Sequence, residues 1–322
     1  MKALRFEKTG SLDELKMVDL PPPVPGPGEV LVKVHAAAIN PSDVKNVLGK
    51  MHETSTPRIP GRDFAGVVLE GPPELLGRQV FGAGGNLGFG RDGTHAELVA
   101  LPAGGVNPMP GNLTFPQAAA MGVAYMTAWA AVVTAANIQP GETILITGAT
   151  GAVGGAAAKI AHAKGARVIG IVRKAEALAR AKDGSVDQWI ALDAGELPAS
   201  VLAITGGKGV NAVFDVVGGA LFEPCLKSLA LRGRQVAIAS NPDPRVSFNL
   251  VDFYHRESRI IGLDSLKLGF EESSAILRGL TPGIEAGTYP PPAVQTRGLD
   301  AAIEAYREVA EGRVKEKLIL VP

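Results

Sequence analysis

The run Thr143-Ile144-Leu145-Ile146-Thr147-Gly148-Ala149-Thr150-Gly151-Ala152-Val153-Gly154 joins an apolar strand to a helix through a tight glycine turn. With no side chain at Gly151, the backbone can approach a pyrophosphate; with none at Gly154, the helix can pack closely on its strand. The helix amino terminus then faces the phosphates. The first glycine position of the usual G-x-G-x-x-G is Ala149, so the match is partial, and glycine turns also form for local reasons. Downstream, Ala156, Ala157, Ile160 and Ala161 give the helix an apolar stripe, and Ala166-Arg167-Val168-Ile169-Gly170-Ile171-Val172 reads as a second buried strand. This is a βαβ unit. Ala149, Thr150, Gly151, Ala152 and Val153 are therefore expected against a dinucleotide.

At the end of the second strand, where a carboxylate would hold the ribose 2′-hydroxyl of NAD, stand Arg173 and Lys174. Two cations can pair with a 2′-phosphate, which makes NADP(H) the expected cofactor. The alternative is a solvated basic pair at a strand end.

The 322 residues suffice for two domains with substantial cores. Lys+Arg and Asp+Glu both number 32, so no global charge draws the chain to nucleic acid or to an anionic membrane; a small-molecule substrate is expected. The single Cys225 excludes an internal disulfide and any multi-cysteine zinc site. Met1 to Phe6 reads as a short strand rather than a signal peptide, and no uninterrupted apolar run of about 18 residues occurs, so a cytoplasmic protein is the expectation.

Before residue 118, short strands such as 30–34 and 65–69 are punctuated by glycine and proline, the texture of an irregular β-barrel. From 118 onward helices alternate with apolar strands at 143–147, 167–172, 188–192, 212–217, 234–239 and 258–263, which makes a doubly wound parallel α/β sheet. A helix near 299–310 and a strand at 317–321 close the chain. The expected division is 1–117, 118–265 and a segment 266–322 that returns to the first domain.

Several further motifs run through nearly the whole chain: Pro27-Gly28-Glu29-Val30-Leu31-Val32-Lys33-Val34, Ala38-Ile39-Asn40-Pro41-Ser42-Asp43-Val44, Pro60-Gly61-Arg62-Asp63-Phe64-Ala65-Gly66, Thr127-Ala128-Trp129 and Asp215-Val216-Val217-Gly218-Gly219. With the glycine turn, they resemble the medium-chain dehydrogenase/reductase superfamily, specifically its zinc-independent quinone oxidoreductase and enoyl reductase branch. The resemblance implies a GroES-like β-barrel catalytic domain split around a Rossmann NADP-binding domain. It also implies a homodimer that pairs the sixth strand, Ser258 to Leu263, across a twofold axis, since an unpaired apolar edge is a liability.

Where alcohol dehydrogenases of that superfamily carry zinc ligands, this chain has Asn40, Arg62 and Val123, so no metal is expected. Without a Lewis acid the electrophile must be conjugated, a quinone or an α,β-unsaturated carbonyl, whose developing charge hydrogen bonds can stabilise. By resemblance Asn40 lies beside the nicotinamide with its amide free to donate, and Thr127 touches the same end. The alternatives are a turn residue before Pro41 for Asn40 and an ordinary helix residue for Thr127. Asp43 is expected to orient the Asn40 loop or cap the next helix.

In the family the loops holding Val217 and Gly218, Ala239 and Ser240, and Leu263 and Ser265 line the ribose and nicotinamide, against plain strand-to-helix turns as the alternative. The tyrosine proton donor of some enoyl reductases has no counterpart, since no tyrosine precedes Tyr125. His52 is expected in an exposed loop, with proton donation the alternative; Tyr125 and Tyr254 in packed positions, with the cleft the alternative; and Lys315 or Lys317 as a solvated charge, with contact to the cofactor phosphate the alternative. His95 and Glu97 receive no chemistry. A competing function is a non-catalytic NADPH-binding protein with a structural or RNA-associated role.

Overall fold

A computed structural model describes residues 1–175, 178, 184–192, 196–239 and 243–322. The chain forms two compact units, one made of Met1–Met126 with Ser265–Pro322 and the other of Thr127–Asp264.

The first unit begins with β1 (Lys2–Phe6) and β2 (Leu15–Asp19), paired antiparallel. There follow β3 (Glu29–Ala38), α1 (Pro41–Val47), β4 (Asp63–Glu70), β5 (Gln79–Ala83), β6 (Leu98–Pro102) and β7 (Asn107–Pro108). Helix α2 (Phe115–Trp129) continues as a π-helical segment, Ala130–Ala135, and carries the chain into the second unit. This stretch, Phe115–Ala135, is long and apolar enough to span a membrane by composition, yet 78% of its apolar window is buried within the protein, the condition of a core helix.

In the second unit β8 (Thr143–Ile146), α3 (Ala152–Ala163), β9 (Arg167–Val172), β10 (Gln188–Ala191), α4 (Leu197–Ile204), β11 (Val210–Asp215), α5 (Phe222–Lys227), β12 (Leu229–Ala237), α6 (Leu250–His255) and β13 (Arg259–Gly262) alternate. All six strands are parallel, in the order β10-β9-β8-β11-β12-β13. This doubly wound order reverses direction beside β8, where such sheets bind ligands. The core explains the pattern: Leu145, Ile169, Ile190 and Val213 from the sheet pack against Val201 of α4 and Leu226 of α5. β12 begins five residues before the expected 234, with a register break against β11 between Leu229 and Arg234.

Returning to the first unit, the chain forms α7 (Phe270–Glu285), β14 (Val294–Gly298), α8 (Ala302–Ala310) and β15 (Lys317–Val321). These strands complete a seven-stranded sheet, β14-β15-β3-β4-β5-β7, with β6 also paired to β3. β15 runs antiparallel to β3 with Ile319 opposite Ala38 and Leu320 opposite Ala37, and Ile39 N donates to Leu318 O at 3.0 Å. Extending that register by two residues sets Lys317 opposite Asn40. One core of this unit gathers Leu4, Phe6, Ile39, Val44, Tyr306 and Leu318, seating α1 and α8 on the end of β3.

Candidate active site

Asn40 is the second of two residues between β3 and α1, in extended conformation (φ −108°), and Pro41 opens the helix where a missing N–H costs nothing. Asp43, three residues on, accepts from Asn40 N at 2.7 Å, reaching back to the cap as the acidic residue of a capping box does. The Asn40 amide donates to Asp43 Oδ2 at 3.1 Å and to Asp63 Oδ2 at 2.8 Å, and its Oδ1 accepts from Lys317 Nζ at 2.5 Å. All of Asn40, Asp43 and Asp63 are buried.

Asp63 opens β4. Its second oxygen accepts from Val123 N, within α2, at 2.6 Å. Gly122 makes that approach possible: a Cβ there would stand 2.3 Å from Asp63 Oδ1. Arg62, buried beside it, donates Nη2 to Ser265 O at 3.1 Å and lies over the Phe89 ring. Burial pushes the carboxyls of Asp43 and Asp63 up, while their hydrogen bonds with Asn40 and the charge of Lys317 act the other way; Arg62 also draws Asp43 down. Burial lowers the Lys317 ammonium, and Asp63 and Asp43 oppose that. Lys317 is thus no solvated charge, as its place near the carboxyl terminus had suggested. The same register that pairs β15 with β3 delivers it to Asn40.

Behind this cluster His95 is fully buried, with Nε2 3.2 Å from Ala38 O and Nδ1 2.8 Å from Tyr306 Oη. Burial holds its pKa at about 4, so it stays neutral. Tyr125 is buried with its hydroxyl on Pro290 O at 2.5 Å, whereas Tyr254 is 55% exposed rather than packed. His52 is exposed. Among the described residues no group of three or more His, Cys, Asp or Glu could hold a metal ion. A zinc ion held by Asp63 would have to sit where the positive charge of Lys317 already acts. The donor set present does not fit it.

Thr127 lies one turn along α2 from Val123, buried, with no hydrogen-bond partner for its hydroxyl among the described residues. It does not bond its own helix backbone. An orphaned buried hydroxyl costs roughly 1–3 kcal/mol, so a ligand that meets it gains by doing so.

In the second unit the glycine turn has the form a dinucleotide needs. Gly148 has φ +60°, and a Cβ on Gly154 would stand 2.2 Å from Gly148 O, so only glycine allows α3 to start so close to β8. Thr150, Gly151 and Ala152 are exposed, Val153 is half-buried and Ala149 is buried. Gly151 caps α3 without a side-chain hydrogen bond, leaving the leading N–H groups available to an anion. Arg173 and Lys174 are exposed immediately after β9, and neither forms an ion pair with a described residue.

Thr147 and Asp215 escaped notice as working residues. Asp215, buried at the end of β11, accepts from Thr147 Oγ1 at 2.9 Å, Val217 N at 3.1 Å and Gly218 N at 2.9 Å, while Thr147 Oγ1 accepts from Val216 N. One carboxylate therefore binds the start of the glycine turn to the loop holding Val217 and Gly218. Its signal was a carboxylate ending an apolar strand. Ala239 is half-buried beyond β12, Leu263 N donates to Ala237 O at 3.0 Å, and Ser265 falls in the first unit; Ser240 lies outside the described residues.

Comparison with known proteins bears on this arrangement. The alcohol dehydrogenase GroES-like domain matches residues 26–111, and the zinc-binding dehydrogenase domain matches residues 152–278. A zinc-type alcohol dehydrogenase-like protein of Schizosaccharomyces pombe is 36% identical over 96% of this chain and 94% of its own length. The chain belongs to the medium-chain dehydrogenase/reductase superfamily. Within it, the quinone oxidoreductase of Mus musculus is 29% identical over 100% of this chain and 98% of its own, which supports the quinone oxidoreductase and enoyl reductase branch. A solved NAD-dependent alcohol dehydrogenase, 32% identical, superposes with a TM-score of 0.89 over 100% of both chains. This medium-chain dehydrogenase/reductase is an oxidoreductase that uses a nicotinamide cofactor, and the glycine turn with its uncapped helix fits that group.

Proposed function

We propose that the chain is an NADPH-dependent, zinc-independent reductase of quinones or of the C=C bond of α,β-unsaturated carbonyl compounds. The observation that carries this reading is the company Asp43 and Asp63 keep: Asn40 bonds to both, the charge of Lys317 acts on both, and that of Arg62 acts on Asp43. Nothing there polarises an alcohol as a metal would, but cations and amides suit a substrate whose charge spreads onto an oxygen. The cofactor, when bound, supplies the hydride. The chain's own tasks are to hold the pyrophosphate at the start of α3, to receive a 2′-phosphate at Arg173 and Lys174, and to orient the substrate. We further propose a homodimer formed through β13, an edge strand whose Ile260 is exposed.

The test follows absorbance of the reduced cofactor with a simple quinone, a simple enone and, in reverse with the oxidised cofactor, a simple alcohol. Reduction of a quinone or enone that survives exhaustive chelation is expected. Rapid alcohol oxidation, or activity lost on chelation and restored by zinc, overturns the reading. Tight cofactor binding with no turnover of any substrate leaves a binding protein instead.

A further inference from the structure

The hydrogen-bond donors around Asp43 and Asp63 are mostly committed. Both N–H bonds of the Asn40 amide are directed at carboxylate oxygens, and its oxygen takes a bond from Lys317. Turning the amide over would set its carbonyl against two carboxylates and its NH2 against an ammonium. The amide is therefore locked, and it has no N–H left for a substrate. In this arrangement Asn40 serves its neighbours rather than a substrate oxygen. The Val123 N–H is taken by Asp63, and Arg62, buried, reaches Ser265 O.

Lys317 differs. Its hydrogen-bonded acceptor is the neutral Asn40 Oδ1, and no described carboxylate stands within 4.0 Å of its ammonium. An ammonium carries three N–H bonds, so two remain without an acceptor among the described residues. The residue as a whole is only partly buried, while its ammonium is withdrawn from water, where an unmet N–H gains most from a ligand oxygen. Asp63, whose two oxygens are taken by Asn40 and Val123, and Asp43, whose Oδ2 is taken by Asn40 while its Oδ1 has no partner among the described residues, act on Lys317 from a distance and help keep it charged.

We propose that Lys317 is the hydrogen-bond donor to the substrate oxygen on which negative charge develops, and that Asn40 is the residue that holds it in place. The proposal deepens the reductase reading and rests on it. An enone becomes an enolate and a quinone a hydroquinone anion as hydride arrives, and a fixed ammonium favours either anion over its neutral precursor. The register of β15 on β3 brings the Lys317 backbone to Asn40, and the hydrogen bond to Asn40 Oδ1 holds the ammonium, so little reorganisation accompanies the charge.

The probe is 4-nitrophenol, which mimics a hydroquinone anion and accepts no hydride, titrated into the full chain with oxidised cofactor at a pH below the phenol's own pKa. Wild type should bind it with an absorbance shift toward the phenolate. Lys317→Met should weaken binding about tenfold or more and abolish the shift, Lys317→Arg should keep most of it, and the exposed control Lys315→Met should match wild type. In turnover, Lys317→Met should lower kcat about a hundredfold with cofactor affinity unchanged. An equal phenolate shift in wild type and Lys317→Met, or no binding to wild type, overturns the proposal; thermal melts confirm folding, and Lys317→Gln, which also removes the charge and should also lose the shift, carries the comparison if the methionine variant does not fold. Lys317-dependent phenolate binding in a wild type that reduces no quinone or enone supports the donor and overturns only the reductase reading.

Discussion

The Asn40 amide donates to Asp63 at 2.8 Å, joining the mouth of α1 to the start of β4 across 23 residues of sequence. Because that amide also serves Asp43 and accepts from Lys317, it neutralises a buried cluster without adding charge to it. Asn40→Ala strips hydrogen bonds from two buried carboxylates and should destabilise the fold by roughly 3 kcal/mol. Asn40→Asp places a third carboxylate among them and should cost more at neutral pH. Burial and like charge raise these carboxyl pKa values, so the folded state favours their protonated forms, and that stability is lost as pH rises. Urea unfolding should show the Asn40→Asp deficit shrinking from pH 7 to pH 4; a deficit independent of pH would mean that the cluster relaxes.

His95 gives the opposite slope. Held neutral by burial at a pKa of about 4, against 6.5 when free, it takes up a proton more readily unfolded than folded. Its contribution is complete above pH 6.5 and is lost as pH falls toward 4. By pH 5 the loss is about 2 kcal/mol. The groups facing it are Tyr306 Oη, Ala38 O, Asp63 and Lys317. His95→Asn should lower stability at pH 7 yet lose less than wild type between pH 7 and pH 5, as measured by denaturant midpoints.

Cofactor choice is tested at Arg173. Arg173→Ala should weaken NADPH by roughly 1.5–3 kcal/mol, one charge-assisted phosphate contact, and leave NADH nearly unchanged. Wild type that binds both reduced cofactors equally in a fluorescence titration would refute the preference.

What the sequence made legible was local or periodic. The glycine turn lies within twelve residues, and each strand of the parallel sheet announces itself by an apolar run, so the second unit could be read almost element by element. The carboxylate cluster could not. Lys317 meets Asn40 across 277 residues, Arg62 meets Ser265 across 203, and Thr147 meets Asp215 across 68. Each of these contacts is fixed by strand register or by a loop return that no local pattern encodes. A lysine near the carboxyl terminus reads as solvated until β15 is seen beside β3. The motif singled out Asn40, but not the bonds its amide makes, because the direction of an amide depends on neighbours supplied from elsewhere in the chain.

Gly154 tests the dinucleotide site without touching a charge. A Cβ there would stand 2.2 Å from Gly148 O and 2.9 Å from Ala149 Cα, backbone atoms that cannot swing aside as a side chain does. Gly154→Ala must therefore push the start of α3 away from β8 and open the turn. The leading N–H groups of α3 move with it, and they are the groups available to a pyrophosphate. Stability should fall by about 1–3 kcal/mol, the usual cost of overpacking, and affinity for NADPH and NADH should drop together because the pyrophosphate is common to both. A variant that melts lower but binds both cofactors as tightly as wild type would show that the pyrophosphate is held elsewhere. A selective loss of NADPH would place the 2′-phosphate, rather than the pyrophosphate, at this turn.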